Sequence, residues 1–195
     1  LAKTDVYRQV AELHIANIDQ GFLATLGVGF LSLMYRAIDE ANDTVLLFEE
    51  RGDRVIGFVA GGIGMATIYK RMVHSPFRLG FALLPVFLRP RSLFRIFEIL
   101  RYSRRKGSQN SGLPIAELMS IAVARDYRGQ QIAERLYRRL CDHFETVGVL
   151  SFKITVGNSL EPAHRFYRRM GAEPAGSIEV HRGEQSIVYV HKLRR

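Results

Sequence analysis

Residues 124–140, ARDYRGQQIAERLYRRL, leave an apolar, strand-like stretch, turn at Arg128 and Gly129, and enter a pattern with apolar residues at helical spacing. The first turn of a helix has backbone N–H groups without intrahelical partners, and the helix dipole makes that end partly positive. Such an end suits an anion. Gly129 can take backbone conformations closed to other residues and lets a ligand come close to the main chain. Arg128 adds a planar fork that matches phosphate oxygens. Phosphate or pyrophosphate is the expected occupant, and a plain strand-to-helix turn is the competing reading of the same residues. Other chemistries have weaker signatures. Cys141 lies well inside the helical run and reads as a small core residue rather than a nucleophile. His14, His74, His143, His164, His181 and His191 lack the two-histidine helical spacing of a zinc site, so no metal is expected. His74, shortly before Pro76, reads as a surface residue, with an alternative general base as its second reading. No Ser-His-Asp arrangement follows from spacing.

The elements that must position this turn read in the order αα, ββ, a long interruption, β, α, β, α, ββ, which is a mixed α/β domain spanning residues 1–195. The N-terminal part opens with a short alternating stretch, DVYRQV, and then turns helical, with Phe30, Leu31, Leu33, Met34 and Ile38 on one face. Gly27 and Gly29 are expected to break it into two short helices. TVLLFEERGDRVIGFVAGG reads as a hairpin turning at Arg51, Gly52 and Asp53. AELMSIAVA and LSFKITV read as strands. A helix ending near Gly148 follows the first, and a short helix stopped by Gly171 follows the second. The chain closes with a strand pair around Arg182 and Gly183.

Of the 195 residues 47% are apolar, enough for a core of ordinary size. One cysteine excludes a disulfide framework and a cysteine-based metal site. It also favours a reducing compartment, so a cytoplasmic protein is expected. The first residues lack the basic start and apolar run of a signal peptide. The longest nearly uncharged apolar stretch, Leu79 to Leu88, contains a proline and falls short of the roughly 20 residues that span a bilayer. The net charge of +9 is unevenly spread. Ten lysines and arginines lie between Ala66 and Leu113 against one acid, Glu98, which leaves 18 basic and 18 acidic residues elsewhere. Any electrostatic partner is therefore a partner of that segment.

LMSIAVARDYRGQQIAERLYRRL resembles the core motif of the GNAT superfamily of acyl-CoA N-acyltransferases: a strand ending in valine, a loop, and the pattern R/Q-x-x-G-x-G/A opening a long helix. AHRFYRRMGA, Ala163 to Ala172, resembles the superfamily's second signature, A-x-x-F-Y-x-x-x-G. The resemblance implies a mixed, mostly antiparallel central sheet flanked by helices; it does not extend to residues of about 66–113, which helical spacing and prolines mark as a helical insertion between the third and fourth strands. It also implies transfer of an acetyl group from acetyl-CoA to a primary amine, by direct attack with both substrates bound. Carried over by position, Arg128, Gly129, Gln130, Gln131, Ile132 and Ala133 cradle the coenzyme's pyrophosphate. Ile121 places its backbone N–H near the thioester carbonyl, and Ala122 and Val123 run beside the pantetheine. Gln131 departs from the pattern, standing where a second glycine is expected and putting a side chain at the close approach. Asn158 either meets the pantetheine arm or caps the next helix with Ser159. Glu117 matches the carboxylate that takes the amine proton through water; as a strand-end acid it has a plain structural reading too. Tyr167 matches the general acid for the departing thiolate, and otherwise packs as a helix tyrosine.

The family's layout puts the basic segment on the acceptor side. Three uses compete: a helical cover with solvated arginines; recognition of an anionic acceptor such as a phosphorylated amine or a nucleotide-linked amino sugar; and shallow attachment to an anionic membrane through Phe77, Phe81, Leu84, Phe87, Phe94 and Phe97. Nucleic acid ranks below these, since no recognised nucleic-acid module is present. Either a monomer or a homodimer fits. The alternative to an enzyme is a protein that keeps the fold and only binds acyl-CoA, or that uses the insertion as an interaction surface.

Overall fold

The computed structural model describes residues 3–18, 22–64, 112–181 and 184–193. The helical character expected of 66–113, with His74 and the phenylalanine series, and the closing turn at Arg182 and Gly183 lie outside the described residues. The chain opens with a helix, α1 (Lys3–Asn17), followed by a 3-10 turn (Phe22–Leu26) and α2 (Gly27–Glu40). Val6, Tyr7, Val10, Ala11 and His14 are buried together, so the spacing of three and four outweighs the short alternation expected at this end. The break between the helices also differs from expectation: Gly27, at φ 83°, starts α2, and Gly29 lies within it.

Strands β1 (Thr44–Arg51) and β2 (Arg54–Ile63) form the expected hairpin, with Gly52 at φ 61° in its turn. Then come β3 (Ala116–Val123), a 3-10 turn (Arg125–Tyr127), α3 (Ile132–Thr146), β4 (Ser151–Gly157), α4 (Glu161–Arg169), β5 (Glu173–His181) and β6 (Glu184–Lys192). The basic segment thus falls between the second and third described strands, one place earlier than expected, because the N-terminal stretch is helix. The sheet order is β1-β2-β3-β4-β6-β5. Two antiparallel meanders, β1-β2-β3 and β4-β6-β5, meet at one parallel junction between β3 and β4.

Each sheet face carries its own core. One face packs Leu46, Val55, Phe58, Ala60 and Ala122 under α1 and α2. The other packs Ile56, Val59, Leu118, Phe152, Ile154 and Val156 under α3 and α4. Buried Ile132, Leu136, Tyr137, Leu140 and Phe144 form the inner stripe of α3. That helix lies close on β2 because two glycines face it. A Cβ on Gly57 would come within 2.9 Å of Ile132, and one on Gly61 within 2.9 Å of Leu140. Gly148 (φ 78°) and Gly171 (φ 87°) follow the ends of α3 and α4 in the left-handed conformation that stops a helix.

Candidate functional site

The junction between β3 and β4 is short. Only Glu117 with Lys153 and Leu118 with Ile154 stand opposite each other. Beyond them β3 continues to Val123 along β2, and β4 continues to Gly157 along β6, with no pairing across the gap. The sheet therefore splits, and its two inner edges offer backbone donors and acceptors to whatever enters.

A bulge aims the β3 edge. Ala60 stands opposite Ser120 while Gly61 stands opposite Leu118, which makes Met119 the extra residue. Met119 packs against the α1/α2 core, and Ser120 Oγ lies 3.0 Å from Tyr35 Oη on α2. Both turn to the same side, so alternation reverses at this point. After the bulge, Ala122 faces α1 and α2, while Ile121 and Val123 pack against the α3/α4 core. The three residues carried over as the thioester and pantetheine strip thus lie on the open edge of the split.

The split leads to the turn before α3. Gly129 takes φ 77°, and a Cβ placed on it would meet no atom of the described residues within 4 Å, so they leave the space beside it open. Gln131 takes φ 58° and ψ 20°, the left-handed backbone that a glycine adopts freely, and its side chain is exposed. As the N-cap residue it makes no side-chain cap, and α3 begins with Ile132 and Ala133. An open space in front of an uncapped helix start fits a pyrophosphate. Arg128 is engaged with neighbours: its Nη2 donates to Asn17 Oδ1 at 2.9 Å, with Nε 3.4 Å from the Val123 carbonyl. The carbonyl of Gln130 accepts from Arg135 Nη1 at 2.9 Å. Arg135 also grips Glu49 with two bonds of 3.0 and 2.8 Å. Sequence reasoning missed this pair, since nothing in the spacing links residues 86 apart.

Glu117 stands in the paired rows where β3 meets β4, and Tyr167 belongs to the core on the other face of the sheet. Ala116 and Leu118 belong to the α3/α4 core, so Glu117 projects to the other side. There its carboxylate lies 3.9 Å from Lys153 Nζ, with 28% of its side chain exposed. Burial raises its pKa above the ordinary carboxylate range, and the ammonium of Lys153 pulls it back. Tyr167 is buried on α4 in the other core, among Tyr137, Phe166 and Tyr189. Burial pushes its phenol well above its usual value, so it holds its proton. Asn158 is exposed in the turn after β4, where its N–H donates to Gln185 O at 3.1 Å. The N-cap position of α4 is Leu160, which makes no side-chain cap. Cys141 is half-buried against the α3/α4 core, and burial, with Asp142 and Glu145 nearby, raises its thiol to about 12, out of the range of a nucleophile.

A groove of about 600 Å³ lies over β5 and β6, lined by Leu113, Pro114, Glu173, Val188, Val190 and Lys192 among others. Val190 pairs with Lys153, which pairs with Glu117. The groove and Glu117 therefore share one face of the sheet.

With this geometry in hand, comparison with known proteins is specific. A sequence profile described as the Acetyltransferase (GNAT) family matches residues 15–172. No curated protein matches the chain by sequence. Among solved structures, an N-acetyltransferase from Staphylococcus aureus Mu50 superposes with a TM-score of 0.60 at 16% identity, covering 100% of this chain and 96% of its own. An aminoglycoside 6'-N-acetyltransferase complexed with coenzyme A gives 0.60 at 12% identity, covering 97% and 91%. A GNAT-family protein from Desulfovibrio desulfuricans gives 0.57 at 15%, covering 93% and 91%. At these identities the structural likeness is one of fold.

Proposed function

The chain belongs to the GNAT acetyltransferase family, and on that premise we propose that it transfers an acetyl group from acetyl-CoA to a primary amine by direct attack in a ternary complex. The observation that carries this reading is the split itself. It runs from a helix start without a side-chain cap toward the paired row that carries Glu117, and the two faces of the sheet there belong to separate cores, one of which holds Tyr167.

The turn at Gly129 to Ala133 would receive the pyrophosphate, and Gln131 supplies the backbone that the family's glycine supplies. That conformation, with the side chain exposed, supports an enzyme over a protein that only binds acyl-CoA. The inner edge from Ile121 to Val123 would bond the pantetheine, and Asn158 sits at the end of the opposite arm. Acetyl-CoA brings an activated acyl group on a thiolate leaving group. Glu117, its basicity raised by burial and partly offset by Lys153, accepts the proton that the ammonium must lose before its nitrogen can attack. As the C–N bond forms and the C–S bond breaks, Tyr167 donates its proton to the leaving sulfur, and the proton that the acylated nitrogen gives up restores the phenol. The amine reaches Glu117 from the face that carries the Val188–Val190 groove, so acceptor and coenzyme enter from different sides. An anionic acceptor, such as a phosphorylated amine or an amino sugar nucleotide, suits the arginines of the basic segment. The lone Cys141 fits work in the reducing cytoplasm. No helix among the described residues is long and apolar enough to cross a membrane.

The test is titration of acetyl-CoA followed by an amine screen. Binding in the micromolar range, roughly 8 kcal/mol, with thiol release in the presence of an amine, supports the reading. Absence of binding at millimolar ligand refutes it.

A further inference from the structure

The open split poses a structural problem: two inner strand edges lie side by side without pairing to each other, and among the described residues zipping them together would extend the ladder of both. Something must hold each arm off the other. The β3 arm is tethered toward one face. Tyr35 is fully buried, and its hydroxyl stands 3.0 Å from Ser120 Oγ and 2.6 Å from His14 Nδ1. Tyr35 also packs edge-on against Phe58, with ring centroids 5.1 Å apart. Burial lowers the His14 imidazole to about 4, so the trio is uncharged near neutral pH. The β4 arm is tethered toward the opposite face. His164 of α4 lies with Nε2 3.1 Å from the carbonyl of Gly157 and Nδ1 2.9 Å from Tyr189 Oη. A carbonyl only accepts, so Nε2 carries the proton, and in the neutral ring Nδ1 accepts from the Tyr189 hydroxyl.

Each arm is thus held by a buried His–Tyr pair, one anchored in α1 and α2, the other in α4 and β6. We propose that these pairs, His14–Tyr35 and Tyr189–His164, are positioning residues that draw β3 and β4 toward opposite faces of the sheet and keep the split open to an acylated pantetheine arm. The proposal rests on the coenzyme reading above for its ligand, but the braces themselves are a property of the free protein. Both tyrosine hydroxyls are remote in sequence from the groups they hold: 85 residues separate Tyr35 from Ser120, and 25 separate His164 from Tyr189.

The experiment compares wild type with Tyr35→Phe and Tyr189→Phe, each of which keeps the ring and removes one oxygen. Two ligands are titrated: acetyl-CoA, and adenosine 3'-phosphate 5'-diphosphate, which carries the nucleotide end without the arm. Hydrogen exchange of the ligand-free proteins is followed in parallel. The expected result is about tenfold weaker acetyl-CoA binding with the nucleotide half within about twofold of wild type. Exchange should quicken in β3 for Tyr35→Phe and in β4 for Tyr189→Phe. A role in general stability would instead weaken both ligands together and speed exchange across α3 and α4, and that result overturns the proposal, as does unchanged binding of acetyl-CoA. If wild type binds neither ligand, the coenzyme reading falls and exchange alone decides: acceleration confined to the braced strand upholds the braces, and no change removes them. Should Tyr35→Phe fail to fold, Ser120→Ala breaks the same tether from its other end and is read by the same criteria.

Discussion

Glu117 and Lys153 stand opposite each other in the first of the two paired rows where β3 meets β4, carboxylate to ammonium at 3.9 Å. Burial raises the carboxyl's pKa and Lys153 lowers it. In Lys153→Met only the raising influence remains. If Glu117 is the base, the acidic limb of the kcat/KM profile for the amine then moves to higher pH. An unmoved limb assigns the proton to another group.

Glu117→Gln separates catalysis from stability. Loss of the base should lower kcat by about a hundredfold or more. Stability should move the other way. A folded-state pKa above the unfolded value means that the folded chain holds the proton longer, so this group's destabilising effect is complete above the folded pKa and absent below the unfolded one. The variant should be the more stable protein at pH 7. That advantage should shrink as pH falls through the raised pKa toward the ordinary carboxylate range, which urea midpoints at several pH values measure directly.

Tyr167→Phe keeps the ring among Tyr137, Phe166 and Tyr189 and removes the proton. Turnover should fall about a hundredfold while the dissociation constant for acetyl-CoA holds. Since burial drives this phenol far above its usual value, wild type should show no alkaline limb from it up to about pH 10. Single-turnover thiol release against pH tests both statements.

Gln131 holds a left-handed backbone at φ 58° with its side chain in solvent. Gln131→Gly relieves that conformation and should stabilise the fold by about 1 kcal/mol, seen as a higher denaturation midpoint, with acetyl-CoA binding retained or improved. Gln131→Val should be less stable than wild type, because a β-branched residue tolerates this region poorly. Equal midpoints for all three would mean that the turn relaxes when residue 131 is changed.

This turn also marks how far sequence alone reaches. Arg128, Gly129 and the amphipathic run announce a helix start open to an anion, because capping, glycine conformation and helical period are local properties. AHRFYRRMGA is legible for the same reason, with Tyr167 on the inner face of a short helix stopped at Gly171. The bulge at Met119 has no local signature, since a bulge is defined only against the partner strand. Nor do the ties from Arg135 to Glu49 or from Tyr35 to Ser120, which arise when distant segments meet. The opening stretch misled because so short a run holds too few residues to separate the two periods, whereas Val6, Val10 and His14 recur every fourth residue and are buried on one face of α1.

Arg128 spends its fork on Asn17 at 2.9 Å. Arg128→Ala should weaken acetyl-CoA binding about tenfold, and the loss should diminish at high salt if the charge acts on phosphate. Asn17→Ala removes the partner and keeps the charge, so it should cost little. A loss in Asn17→Ala as large as in Arg128→Ala would show that the arginine matters by holding the turn against α1.

Among the described residues, two residue pairs carry the ladder between the two halves of the sheet, so the sheet is one cooperative unit through side chains more than through its ladder. Leu136, Tyr137, Leu140 and Phe144 bridge that seam, lying over Ile56 and Val59 of one meander and Phe152 and Ile154 of the other. A truncation in this apolar stripe would loosen the hinge line between two half-molecules before it unfolded either. The width of the split is therefore set in part by the buried stripe of α3, whose side chains lie in the core rather than along the split.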